Sequence, residues 1–136
     1  MSVLVLDNSV VLAWCLADER HPLAERAMDL TLERGAVVPG VWWYELRNAL
    51  IVNEKRGRLS AEDTRATLAD LDEMNITADS RHDTPTVLGL ARRHELSVYD
   101  TVYLEVALRR GLPLASLDRR LSQAATASGA DSLAVE

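Results

Sequence analysis

Two kinds of hydrophobic pattern alternate along the chain. Residues 3–6 form a continuous apolar run, Val-Leu-Val-Leu, which is typical of a strand buried on both faces of a parallel sheet. Similar short runs recur further along and are separated by longer stretches with apolar residues at helical spacing. We therefore predict strands at residues 3–6, 36–38, 76–78, 114–116 and 132–135.

Helix boundaries are marked by capping residues, prolines and glycines. Pro22 stands in a first turn and Gly35 follows a last turn, while Ser60 and Asp63 have the spacing of a capping box. These signals predict helices at residues 9–16, 22–34, 41–56, 61–74, 83–94, 99–110 and 118–126. The third and fourth of them are joined by a short turn and form a helical hairpin.

The order of these elements predicts the fold class. Strands that alternate with helices form a mostly parallel sheet with helices on both faces. A chain of 136 residues has the usual length of one domain. We expect a single three-layer α/β domain spanning residues 1–136.

Composition excludes several classes of protein. The 48% hydrophobic and 26% charged residues are typical of a soluble globular protein, and no apolar run approaches the roughly 20 residues of a membrane span. The start of the chain lacks a basic leader, so we expect a cytoplasmic protein with no membrane partner. Its single cysteine, Cys15, allows neither an internal disulfide nor a cysteine metal site. A net charge of −6 argues against broad attraction to nucleic acid, but it leaves a local site open.

Four acids are expected at one edge of the sheet. Asp7 follows the first strand and Asp118 closely follows the fourth, whereas Glu45 and Asp100 stand in the first turns of helices that start near the same edge. In an open α/β sheet, ligands bind at the carboxyl ends of the strands. These four side chains are therefore candidates for a common site.

Each acid also has a structural interpretation. Asp118 would cap its helix, Asp100 would complete a capping box begun at Ser97, and Asp7 would close the turn after its strand. Glu45 is harder to explain in this way. It lies among apolar neighbours, where an unpaired carboxylate is costly.

A cluster of four carboxylates carries a chemical requirement. Two such groups about 4 Å apart repel by roughly 4 kcal/mol at an effective dielectric constant of 20. The cluster therefore needs a cation or shared protons. Oxygen ligands without His or Cys suit Mg²⁺ or Mn²⁺, the ions that assist hydrolysis of phosphate esters.

Four ordered segments carry a family resemblance. Residues 5–14, 44–50, 99–104 and 114–121 resemble the motifs of PIN-domain ribonucleases, and most of all those of the VapC toxins of toxin–antitoxin pairs. The resemblance covers nearly the whole chain and implies a three-layer PIN domain. It implies a metal-dependent endoribonuclease whose catalytic, metal-binding acids are Asp7, Glu45, Asp100 and Asp118, with Mg²⁺ or Mn²⁺ as cofactor.

The resemblance also implies supporting residues and partners. Ser9 matches the hydroxyl of the first motif, and Ser116 stands where the family often has Thr. Asn48, three residues after Glu45 on the same helix face, is expected to orient the metal site or to contact RNA. The expected partners are an RNA substrate, a VapB-like antitoxin lying across the helical hairpin, and a second copy in a homodimer.

Two other interpretations compete with this one. A phosphoacceptor receiver domain would need an acidic pair after the first strand and a late lysine, but Asn8 follows Asp7 and the only lysine is Lys55. A non-catalytic PIN-like interaction module would have lost site acids, whereas all four are present.

Overall fold

The computed structural model describes residues 2–133 and contains a parallel four-stranded sheet. Its strands are β1 (Val5–Leu6), β2 (Ala36–Pro39), β3 (Ile76–Asp79) and β4 (Leu114–Ala115). They lie in the order β3-β2-β1-β4. Val5 is opposite Val37 on one side and Leu114 on the other, so the first and last of these strands are neighbours.

The helices lie close to their predicted positions. They are α1 (Asn8–Cys15), α2 (Pro22–Arg34), α3 (Val41–Lys55), α4 (Ala61–Asp72), α5 (Thr84–His94), α6 (Val98–Arg110) and α7 (Arg119–Ala127). A short 3₁₀ turn at Ala17–Glu19 was not predicted. Of the predicted strand at 132–135, Ser132 forms a single bridge to Leu114, while residues 134–135 lie outside the described part of the chain.

Local chemistry explains where the helices begin and end. At the start of α4, Ser60 N donates to the Asp63 carboxylate at 2.9 Å and Asp63 N donates to Ser60 Oγ at 3.0 Å, which completes the predicted capping box. Gly111 ends α6 with a φ of 64°. At the end of α2, Gly35 has a φ of 89°, and its Cα faces Asn75 so closely that a Cβ would lie 2.8 Å from Asn75 Nδ2.

The helices form two packed groups that flank the sheet. Helix α1 packs against α2 and α3, while α6 packs against α5 and α7 and crosses β2, β1 and β4. The three-layer α/β fold class is therefore confirmed. One hydrophobic cluster joins the strands to both groups of helices. Over residues 2–133, no helix combines the length and the apolar character that crossing a bilayer requires.

Candidate active site

Asp7 is buried at the carboxyl end of β1 and is held by two serine hydroxyls. Ser9 Oγ and Ser116 Oγ both donate to its Oδ2 atom, each at 2.8 Å. Burial raises the pKa of the Asp7 carboxyl, the two hydroxyls act to lower it, and the nearby charge of Asp100 raises it further. The side chain makes no capping bond to α1, but its bond with Ser9 agrees with the expected closure of the turn after β1, and the bond from Ser116 goes beyond that interpretation.

The two hydroxyls also join the loop after β1 to the loop after β4. Ser9 Oγ accepts a hydrogen bond from Leu117 N at 3.0 Å, and Ser116 Oγ accepts one from Asp118 N at 3.0 Å. Each serine thus accepts from the backbone and donates to Asp7. This arrangement places both serines against Asp7 and joins the backbone N of Asp118 to the same hydrogen-bond network.

Asp118 has the predicted capping role at the start of α7. Its Oδ1 atom accepts hydrogen bonds from Arg120 N at 3.0 Å and Leu121 N at 3.3 Å. Both bonds use the same carboxylate oxygen, and the residue is partly exposed. Capping and a place in the acidic site are therefore compatible for Asp118.

Asp100 lies in the first turn of α6 and makes only half of the predicted capping box. Its backbone N donates to Ser97 Oγ at 3.1 Å, but among residues 2–133 the return bond from Ser97 N to the Asp100 carboxylate is not formed. Burial and the charge of Asp118 raise the pKa of Asp100, while Ser97 and Arg120 act to lower it. The carboxylate thus belongs to the acidic site more than to the cap.

Glu45 reaches the site from the first turns of α3. Its Oε1 atom accepts a hydrogen bond from the phenol of Tyr103 at 2.6 Å. Burial raises the pKa of Glu45, Tyr103 acts to lower it, and the charges of Asp7 and Asp100 raise it again. The pKa of Tyr103 is also raised, by burial first and then by Glu45. The carboxylate that sequence analysis could not explain thus has a buried partner.

The four acids influence one another electrostatically and form no ion pair within residues 2–133. Asp7 raises the pKa of Glu45, Asp100 raises those of Asp7 and Glu45, and Asp118 raises that of Asp100. None of the four takes part in an ion pair with the Lys, Arg or His side chains of residues 2–133. The structure therefore brings the four predicted acids to one region, where the charge of Arg120 acts on Asp100 but no ion pair among the described residues neutralises them.

A family model for the PIN domain matches residues 4–127 of this chain. The chain belongs to the PIN domain family. It is 32% identical over 124 residues to Ribonuclease VapC3 of Pyrobaculum aerophilum, a match that covers 88% of this chain and 92% of that relative. Its fold matches the crystal structure of PAE2754 from Pyrobaculum aerophilum with a TM-score of 0.71 and 21% identity, covering 90% of this chain and 84% of that one. The predicted family resemblance is confirmed.

The donor set of this PIN domain fits a hard divalent cation. All four candidate side chains are carboxylates, the ligand type that Mg²⁺ and Mn²⁺ prefer, and their mutual repulsion favours a cation. Within residues 2–133, no three His, Cys, Asp or Glu side chains are already gathered closely enough to ligate one ion. Mg²⁺ keeps several of its waters when it binds to proteins, so a partly open set of carboxylates suits it.

The supporting residue Asn48 has a different setting from the two serines. It is exposed on α3, and among residues 2–133 no side-chain hydrogen bond links it to a site acid. Its neighbours Trp43 and Tyr44 are also exposed, by 52% and 69%, whereas Trp42 is buried. This division agrees with the expectation that adjacent helical residues cannot face the same core.

A fifth acid at the carboxyl edge of this PIN domain was missed by sequence analysis. Asp79 ends β3, and its buried carboxylate accepts hydrogen bonds from Arg109 Nη1 at 2.9 Å and Arg110 Nε at 2.7 Å. Burial acts to raise the pKa of Asp79, but the arginine bonds hold it well below its usual range. Arg109 also pairs with the buried Glu105 at 2.9 Å. Because arginines neutralise it, Asp79 belongs to a structural ion-pair network.

Proposed function

We propose that this PIN domain is the toxin of a toxin–antitoxin pair and a divalent-metal-dependent endoribonuclease that hydrolyses RNA phosphodiester bonds. The observation that carries the proposal is the group of four carboxylates that form no ion pair within residues 2–133, of which three have a raised pKa. The chain's similarity to Ribonuclease VapC3 supports the same reaction class. Asp79 at the same edge is a structural acid by contrast, because arginines compensate its charge.

The four acids would have different roles at the metal site. Asp7, Asp100 and Asp118 would hold Mg²⁺ or Mn²⁺, directly or through water, and Glu45 would be a further ligand or would orient the attacking water. When bound, the ion supplies an activated water and neutralises the leaving oxygen. Ser9 and Ser116 keep Asp7 in one orientation through their bonds to Oδ2.

RNA would be selected by local contacts, because the chain carries a net charge of −6. Trp43 and Tyr44 are exposed next to Glu45, with their ring centroids 5.0 Å apart, and the Arg47 guanidinium lies 3.9 Å from the centroid of the Trp43 ring. Aromatic and arginine side chains of this kind stack on unpaired bases. The proposed substrate is therefore a single-stranded loop within a structured RNA.

An antitoxin would hold the toxin inactive. The helical hairpin of α3 and α4 and the neighbouring strands β2 and β3 line a pocket of about 230 Å³ of mixed polarity, with Trp43 and Arg47 among its lining residues. An amphipathic segment of an antitoxin would dock there, and its basic side chains would reach the uncompensated acids. We propose in addition that the toxin is a homodimer.

Cleavage of cellular RNA tests the proposal. The purified protein is incubated with total RNA and Mg²⁺ or Mn²⁺, and new 5′ ends are mapped. We expect a few cleavage sites that disappear with EDTA and in the Asp7→Asn variant. Asp29→Asn, an exposed aspartate on α2, is the matched control and keeps full activity.

Two results would contradict the proposal. Metal binding without any cleavage would favour the non-catalytic interaction module. Equal activity of the Asp7→Asn variant and the wild type would place the chemistry elsewhere. For the partner, co-expression with the product of an adjacent small gene should yield a complex without nuclease activity, and light scattering of the free protein should show a dimer.

A further inference from the structure

Tyr103 is a buried residue of α6, and its hydroxyl contacts the acidic site. It is 0% exposed, and its phenol donates to Glu45 Oε1 at 2.6 Å, across 58 residues of sequence. A hydroxyl–carboxylate bond of this length is a strong, charge-assisted hydrogen bond. Tyr103 thus links α6 directly to the acid carried by α3.

The same turn of α6 carries one of the four acids itself. Asp100 and Tyr103 are three residues apart, so they lie on neighbouring positions of one helix face. The helix therefore contributes Asp100 to the site and contacts Glu45 through Tyr103. This turn of α6 therefore links the position of Asp100 to that of Glu45 on α3.

Glu45 needs such a constraint more than the other acids do. Its side chain has one more rotatable bond than an aspartate, and the charges of Asp7 and Asp100 repel it. The two serines hold Asp7, and the backbone of α7 holds Asp118. Tyr103 is the corresponding hydrogen-bond donor for Glu45.

We propose that Tyr103 is a positioning residue that holds the Glu45 carboxylate in its working orientation beside Asp7 and Asp100. The inference rests on the proposed function, because it assigns Glu45 a place in the metal site. The competing explanation is that Glu45 merely satisfies the hydroxyl of a buried tyrosine. In that case Tyr103 would contribute to stability alone.

A double-mutant cycle on metal affinity separates the two explanations. The Mn²⁺ affinity of the wild type, Tyr103→Phe, Glu45→Ala and the double variant is measured by calorimetry, without RNA. Tyr103→Phe removes one oxygen and keeps the ring in the core, so it retains the fold. We expect it to weaken Mn²⁺ binding about 10- to 100-fold, as is typical when a ligand loses its hydrogen-bond partner. In the Glu45→Ala background it should cause no further loss.

Cleavage kinetics provide a second measurement. Tyr103→Phe should lower kcat and leave the KM for RNA unchanged, because the substituted hydroxyl acts on the metal site and not on RNA. Tyr99→Phe is the matched control, since Tyr99 is on the same helix but 64% exposed. It should behave like the wild type in both measurements.

Several outcomes would overturn the inference. Unchanged Mn²⁺ affinity together with an unchanged kcat in Tyr103→Phe would do so, even if its melting temperature fell, because the hydroxyl would then serve stability alone. The inference would also be overturned if Tyr103→Phe weakened Mn²⁺ binding equally in the wild-type and Glu45→Ala backgrounds. A wild type that binds Mn²⁺ but cuts no RNA would refute the proposed function, and the affinity cycle would still decide the role of Tyr103.

Discussion

We expect the substitution of Asn for Asp to have opposite effects at two buried positions of the sheet edge. Asp7 directly follows β1 and Asp79 is the last residue of β3, and they are 5% and 3% exposed. The pKa of Asp7 is raised, mainly by burial, whereas arginines lower that of Asp79. In the metal-free protein, Asp7→Asn removes an unfavourable buried charge and Asp79→Asn removes a favourable one.

The structure gives the size of each effect. At Asp79, the bonds from Arg109 and Arg110 are charge-assisted, and such bonds contribute about 1.5–3 kcal/mol each. The Arg81 side chain is 78% exposed and adds little. Asn keeps one acceptor oxygen, so we expect a loss of about 2–4 kcal/mol in the free energy of unfolding.

At Asp7, the hydrogen bonds survive the substitution. Both serine hydroxyls donate to the same oxygen, and the amide oxygen of Asn can accept both. Besides the charge, the substitution affects only the minor backbone bond from Asn8, so we expect a gain of about 1 kcal/mol, within the range of single stabilising substitutions.

Urea unfolding at neutral pH in EDTA, followed by circular dichroism, measures both changes. The exposed Asp29→Asn variant serves as the reference, and its unfolding free energy should match that of the wild type. If Asp7→Asn loses as much stability as Asp79→Asn, then the acidic site is not under electrostatic strain, and the contrast between the two acids is wrong.

Three further predictions concern pH, metal and backbone. The raised pKa values of Asp7, Glu45 and Asp100 mean that the metal-free protein gains stability as the pH falls through these values toward the ordinary carboxyl range, whereas the lowered pKa of Asp79 means that stability is lost at still lower pH; urea midpoints across pH measure this. Mn²⁺ at 100 times its dissociation constant should add about 2.7 kcal/mol, seen as a higher melting temperature that Asp100→Asn lacks. Gly35→Ala should cost about 1–3 kcal/mol in urea unfolding, because its φ is 89° and Asn75 fills the space.

The grouping of the four acids could be predicted because chain position alone determines it. Asp7 and Asp118 follow short apolar runs that form adjacent parallel strands, and the carboxyl ends of such strands share an edge. The helical spacing around Glu45 and Asp100 predicted that both residues lie in the first turns of helices that start near the same edge. Their catalytic and metal-binding roles stay predictions.

Asp79 and Tyr103 could not be identified in this way, because their partners are distant in sequence. The apolar run of β3 ends just before Asp79, and nothing local indicates that arginines 30 and 31 residues later neutralise it. Tyr103 has the pattern of a core residue, and its hydroxyl contact is visible only when α3 and α6 are packed. The strands predicted at 3–6 and 114–116 are shorter in the structure, because β1 pairs with β4 over two residues only, whereas β2 and β3 each extend one residue beyond the prediction.

The bonds from Ser9 and Ser116 to Asp7 have a consequence for synthesis of the protein. The Ser116 bond joins residues 109 positions apart, and β1 completes its pairing only with β4. A nascent chain on the ribosome therefore lacks an assembled acidic edge until β4 and the loop after it have been synthesised. Prematurely terminated chains that stop before β4 lack both Ser116 and Asp118, so they cannot hold Asp7 as the folded domain does.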